Sequence, residues 1–234
     1  MPTKARVVFP GFVHHVMHRG HNRQPVFESD DDYQQYIDDL LEAQQEFAVE
    51  LHGWCLFEAE VHLLVRPKRR KNDLGRLMQR ITKSTTRRYN DKHGSSGTIW
   101  NSRFRSSPVQ SHFWELACLR YLEVLPVKRG LVEAPWEYPW SSHRMRLGEA
   151  GEYRLADCPE YLALGRSRDA RIRKYRRYCD QAIPVWEELR IVNGVRRSQL
   201  TGDELFPRAI QQRFGVLIEH RGPGRPSRAR KRPQ

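Results

Sequence analysis

Residues Leu51–Pro67, LHGWCLFEAEVHLLVRP, alternate apolar and other side chains on both sides of a short break at Glu58-Ala59. They carry Glu60 and His62 in Glu-hydrophobe-His spacing. Positions two apart on a strand share a face, so the carboxylate and the imidazole project together while Val61 turns the other way, into a core. Such a pair suits one divalent cation, and a carboxylate oxygen favours the hard ions Mg²⁺ and Mn²⁺. An isolated Glu-x-His is also what a solvated strand end looks like, so the rest of the chain has to decide.

Strands near 50–57 and 61–65 are expected to pair through the Glu58-Ala59 break or to run on as one bent strand. Upstream, Phe12–His18 reads as a strand with His14, Val16 and His18 on one face and Val13, His15 and Met17 on the other, followed by a turn over Gly20–Gln24. Ser29 is a suitable N-cap, and Asp30, Asp31 and Asp32 suit the positive end of a helix dipole. Helical spacing then runs from Tyr33 to Phe47 through Tyr36, Ile37, Leu40 and Leu41.

Downstream, Asp73–His93 reads as a helix ended by Gly94, with Leu74, Leu77, Met78, Ile81 and Thr85 inward. Arg76, Arg80, Lys83, Arg87 and Arg88 point outward as a basic face. Thr98–Gln110 reads as extended, with Arg103 and Arg105 on one face and Trp100 and Phe104 on the other. Phe113–Pro126 reads as an amphipathic helix stopped by Pro126, bearing Arg120 and Tyr121. Trp136, Tyr138 and Trp140 are expected to plug the core edge. The order strand, helix, strand, strand, helix, strand, helix predicts an α+β fold, one antiparallel sheet covered by helices.

The 234 residues carry 41 Lys+Arg against 28 Asp+Glu, a formal charge of +13, which makes a polyanion the natural partner. The run Arg66-Pro67-Lys68-Arg69-Arg70-Lys71 directly follows the Glu60/His62 strand. The last fourteen residues hold Arg221, Arg225, Arg228, Arg230, Lys231 and Arg232 with no acidic residue. The absence of an apolar leader or spanning run predicts a cytoplasmic protein, and Cys55, Cys118, Cys158 and Cys179, lacking CxxC spacing, are expected as reduced thiols without structural zinc. From about Gly148 the composition shifts to charged helical segments. Residues 148–220 are therefore expected to form a small helical appendage, and 221–234 a low-complexity tail whose Gly-Arg-Pro core around Arg225 is similar to an AT-hook.

The motifs together resemble the single-tyrosine transposases of the HUH nuclease superfamily, in particular the REP-associated tyrosine transposases and related insertion-sequence transposases. The resemblance covers residues 4–147. It rests on Pro10–Phe27, PGFVHHVMHRGHNRQPVF, with its Arg19-Gly-x-Asn-Arg23 turn, on the Glu60/His62 strand, on Tyr89-Asn90 and Gly97–Phe104, on Arg120-Tyr121, and on the LPVKRGLVEAPWEYPWSS run. It implies a ferredoxin-like HUH core in residues 1–147. It also implies Tyr121 as nucleophile, a divalent metal (Mg²⁺ or Mn²⁺) at Glu60 and His62, and single-stranded or hairpin DNA as partner of a monomer or homodimer. Arg19, Arg23, Arg66, Lys68, Arg69, Arg70, Arg87, Arg88, Arg103, Arg105, Arg120 and Arg225 are the expected DNA contacts. His18 and His112 are candidates to assist the phenol.

Two positions depart from the family pattern. Glu60 stands where the first histidine of His-hydrophobe-His is expected, and Leu125 stands where an amide usually follows the tyrosine by four residues, on the same helix face. The implied activity is metal-assisted cleavage and rejoining of single-stranded DNA through a 5′-phosphotyrosine. The rival expectation is a domesticated hairpin-binding protein in which cutting has been lost, and a structured-RNA binder is a third, resting on charge and aromatics alone.

Overall fold

The computed structural model describes residues 7–149, 155–216 and 218. The tail and its Arg225 lie outside them. Four strands form one antiparallel sheet in the order β2-β3-β1-β4: β1 Val13–Arg19, β2 Val49–Phe57, β3 Glu60–Pro67 and β4 Arg105–Val109. Strands β2 and β3 are a tight hairpin through Glu58-Ala59, one of the two outcomes expected of that break. Helices α1 (Asp30–Glu46) and α2 (Asp73–His93) cover one face, and α3 (Phe113–Lys128) covers the other. The result is the expected α+β sandwich.

Local chemistry accounts for the elements. Helix α1 starts at a capping box, in which the Asp32 carboxylate accepts from the Ser29 backbone N–H at 3.0 Å, and three acidic residues occupy its first turn. Helix α2 ends at Gly94 in the left-handed conformation that glycine adopts without a Cβ penalty. The strands alternate as read: Val16, Leu56, Leu63 and Val61 pack under α1 and α2, whereas Val13, Cys55 and Leu64 pack under α3.

Three expectations need correction. Pro126 does not stop α3; the helix continues to Lys128, because a proline one turn from a helix end forfeits a single hydrogen bond, and the Arg129 and Leu131 amides close the end on the Leu125 and Pro126 carbonyls. Residues 98–104 are not a strand, since the chain turns at Ser102 (φ 57°) and only a single bridge joins Trp100 to Gly20 before β4 begins. Trp136 is 44% exposed and plugs nothing, while Tyr138 is buried with its hydroxyl donating to the Leu56 carbonyl at 2.7 Å. Trp140 stacks on Tyr33 at 4.6 Å.

Helix α3 is buried on more than one side: 12 of its 16 residues are buried. A helix against a sheet buries one stripe, so a second layer must cover the rest. That layer is the charged helical region, α5 (Pro159–Ala163), α6 (Arg168–Asp180) and α7 (Val185–Arg197), whose Tyr161, Tyr175, Cys179 and Ile191 share the core of α3, with α4 (His143–Arg146) beside them. Gly194 of α7 lies so close to its neighbours that a Cβ there would meet Thr201 Oγ1 at 2.2 Å and Ser107 Oγ of β4 at 3.0 Å. Helix α8 (Phe206–Phe214) closes a smaller cluster around Phe9 and Leu200.

The buried charges of α3 tie these layers together. Glu123, fully buried, accepts from Ser142 Oγ (2.8 Å), His143 Nδ1 (2.9 Å), Arg146 Nε (3.2 Å) and Tyr175 Oη (2.9 Å). Burial pushes its carboxyl up, but the Arg146 guanidinium foremost, with the His143 and Ser142 donors, holds it down at about 2. Glu123, His143 and Cys179 lie close enough to be mistaken for metal ligands, but the carboxylate is already satisfied by protein donors.

Candidate nuclease site

The pairing of β1 with β3 sets Arg19 opposite Glu60 and Met17 opposite His62, so His15 becomes the diagonal neighbour of His62 on the α3 face. Glu60 Oε1 lies 2.6 Å from His62 Nε2, and His62 Nδ1 lies 2.9 Å from His15 Nε2. With neutral rings the proton order is fixed: His15 Nε2–H donates to His62 Nδ1, and His62 Nε2–H donates to Glu60. Burial lowers the pKa of both histidines, His15 strongly, with the adjacent His62 adding to the effect there. Tyr121, from the middle of α3, packs edge-on against both rings, at 6.1 Å from His15 and 6.5 Å from His62. His15 was not expected here; strand alternation placed it on this face, but only the β1–β3 register shows it beside His62.

Tyr121 is 6% exposed, and burial pushes its phenol up to about 12. Neither expected assistant is near it. His18 is on the opposite sheet face, stacked on Trp100 at 4.2 Å, and His112 is at the start of α3, 3.4 Å from Glu160. Leu125, one turn beyond Tyr121, is buried in the α3 core.

Glu60 lines an open cleft of about 970 Å³ together with Arg19, Arg23, Arg105, Arg129, Arg196 and Glu58. Arg19 Nη2 donates to Glu60 Oε1 at 3.3 Å, and Arg19 Nε stands 3.1 Å from Oε2. Arg129 Nη2 stands 3.3 Å from Oε1, its guanidinium lying 3.7 Å over the Phe57 ring. The His62 hydrogen bond and these two cations outweigh burial and drive the Glu60 pKa far below the carboxylate range.

The remaining expected DNA contacts fall into three groups. Arg105 is in the cleft, its guanidinium also donating to the Arg196 carbonyl, and Arg103 is exposed in the loop leading to β4. Arg66, Lys68, Arg69 and Arg70 lie at the far end of β3, roughly 20 Å or more from Glu60 at 3.3 Å per strand residue. Arg66 pairs there with Glu50 and Glu115, and Lys68 with Glu50. Arg87 and Arg88 are on α2, across the sheet from Tyr121, with Arg88 bound to Asp39 at 2.6 Å. Arg120 corrects the expectation outright: it is buried at 3% exposure, bound to Glu187 at 2.6 Å and stacked over Tyr178, so it fastens α7 and α6 to α3 and cannot meet a nucleic acid.

A helix-borne tyrosine set over a Glu-hydrophobe-His strand, within an antiparallel sandwich of this strand and helix order, is an arrangement similar to that of the single-tyrosine transposases. The sequence model of the IS200-like transposases matches residues 10–124, and this part of the chain is similar to that family of transposases. A solved REP-associated tyrosine transposase bound to a REP hairpin shares the fold at a TM-score of 0.53 and 17% identity, over 68% of this chain and 96% of that one. A putative transposase from Deinococcus radiodurans R1 aligns over 48% of this chain and 88% of that one, with 19% identity and a TM-score of 0.36. No curated protein matches the sequence significantly.

The family generally uses a divalent metal. The residues present do not fit one at Glu60. His62 Nε2, the nitrogen that faces Glu60, already carries the proton it donates, and two guanidiniums occupy the carboxylate's surroundings. Glu60 thus serves here as an anchor for two arginines.

Among the described residues no helix is long and apolar enough to cross a membrane.

Proposed function

We propose that the protein binds hairpin-forming DNA and cuts the flanking single strand by attack of the Tyr121 oxygen on a backbone phosphorus. The Tyr121 O–P bond forms as the P–O3′ bond breaks, leaving a 5′-phosphotyrosine and a 3′-hydroxyl that takes up the displaced proton. The covalent bond conserves the phosphodiester energy, so a second 3′-hydroxyl reverses the step and joins another strand. The observation that carries this reading is the packing of Tyr121, from a helix more than fifty residues away in sequence, against the His15 and His62 rings of a relay whose Glu60 lines the arginine-rich cleft. The hairpin in the solved REP-associated transposase supports DNA of that shape as the ligand. The exposed arginines of the cleft and of the loop before β4, the distant Arg66–Arg70 cluster and the C-terminal basic tail with Arg225 are its proposed contacts.

A second reading is favoured by one observation: Tyr121 is buried with its phenol near 12 and does not line the cleft, as in a hairpin-binding protein that has stopped cutting. Incubating the purified protein with a hairpin bearing a single-stranded flank, followed by denaturing electrophoresis, separates the two. A covalent adduct in the wild type that Tyr121→Phe abolishes establishes the nuclease. Tight, salt-sensitive binding without an adduct, with or without Mg²⁺ or Mn²⁺, establishes the binder.

A further inference from the structure

The structure assigns the Arg19–Arg129 pair, gathered on Glu60, as a site that holds a backbone phosphate without a metal ion. This rests on the reading of DNA as the polymer, but the site is defined by its own chemistry. Arg19, Arg129 and Glu60 carry a formal +1; a phosphodiester brings the group to neutrality, whereas a divalent cation would raise it to +3. Across the whole cleft five arginines face two glutamates, so the field favours an anion beyond the first contact.

The two guanidiniums are held but not saturated. Glu60 fixes Arg19 from the paired strand, and the Phe57 ring supports Arg129 from below. Only Arg19 Nη2 makes an aligned hydrogen bond to the carboxylate; Arg19 Nε and Arg129 Nη2 approach it as charge contacts at 3.1 and 3.3 Å. Each guanidinium has five N–H donors, and both side chains are about one third exposed to the cleft, at 30% and 33%. Two planar forks on a fixed anchor match a tetrahedral phosphate, which takes bidentate contacts from arginine. A histidine at position 60 would carry no charge to gather them. The departure from the family pattern and the arginine pair are therefore one change: the positive charge that a metal supplies elsewhere is supplied here by the chain.

The test has two arms, both in EDTA. In the first, inorganic phosphate is titrated into the protein and followed by ³¹P NMR; saturable binding is expected in the wild type, lost in Arg19→Gln and in Arg129→Gln and partly kept in Arg129→Lys, with thermal melts confirming that each variant is folded. In the second, a labelled hairpin with a single-stranded flank is followed by anisotropy. Its affinity is expected to be the same in EDTA as in Mn²⁺, and Arg129→Gln should weaken it roughly tenfold and flatten the log–log salt slope by about one. No phosphate binding in EDTA, binding that both glutamine variants retain, or hairpin binding that appears only with Mn²⁺ overturns the assignment. Phosphate binding that the variants abolish, with no hairpin binding at all, upholds the site and removes DNA as its polymer.

Discussion

Arg120, beside the proposed nucleophile in sequence, has the opposite environment from the cleft arginines, and replacing it separates structural from DNA-contacting charge. Arg120→Met keeps the length of the stem but leaves Glu187, 2% exposed, without the cation 2.6 Å away. Removing one partner of a buried pair costs about 3–5 kcal/mol, and losing the stack on Tyr178 at 3.9 Å adds about 1. The sum, about 5 kcal/mol, corresponds to a fall of roughly 10–20 °C in Tm for a chain of this length. Differential scanning calorimetry measures it. Pairing Arg120→Met with Glu187→Leu removes the orphaned charge and should recover most of the loss. The salt slope of DNA binding should be unchanged in the single variant after correction for the folded fraction. A Tm within about 2 °C of wild type together with a flatter salt slope would refute the reasoning and return Arg120 to the DNA interface.

Adduct formation, if it occurs, should accelerate about tenfold per pH unit between pH 7 and 9, because burial holds the Tyr121 phenol near 12 and its phenolate is scarce throughout that range; a plateau in single-turnover rates below pH 8 would contradict this. Stability should fall in two stages on acidification, read by thermal melts. Buried His14 and His52, held neutral at about 4 and about 3, contribute stability that is present above pH 6.5 and lost as pH falls toward those values; Glu123, held ionised near 2, contributes stability lost as pH falls from about 4.5 toward 2. Glu123→Gln should shrink the second stage, leaving the share that Glu60 contributes. Gly53→Ala should cost about 1–3 kcal/mol in chemical denaturation, because a Cβ at the β2 bulge meets Leu119 Cδ1 at 2.8 Å and Ser142 Oγ at 2.9 Å; an unchanged midpoint would show that α3 can shift.

Periodicity and punctuation determined much of this fold. The alternation of Val13–Arg19 and Val49–Pro67, the Ser29 cap and the Gly94 stop are local, and a local signal survives without knowledge of neighbours; element order then identified the sandwich, and the order of motifs pointed to the transposase family. What the sequence could not decide is which charged residues face each other. Arg19, Arg120 and Arg129 are alike as letters, yet one pair converges on Glu60 across a strand register and a helix end, while Arg120 is enclosed by helices more than fifty residues further on. The role of the charged helices likewise rests on α3 presenting apolar surface beyond the stripe that the sheet covers, a three-dimensional shortage that no single helix displays. Charge pairing and layer coverage depend on distances between segments far apart in the chain, and only the tertiary structure sets those distances.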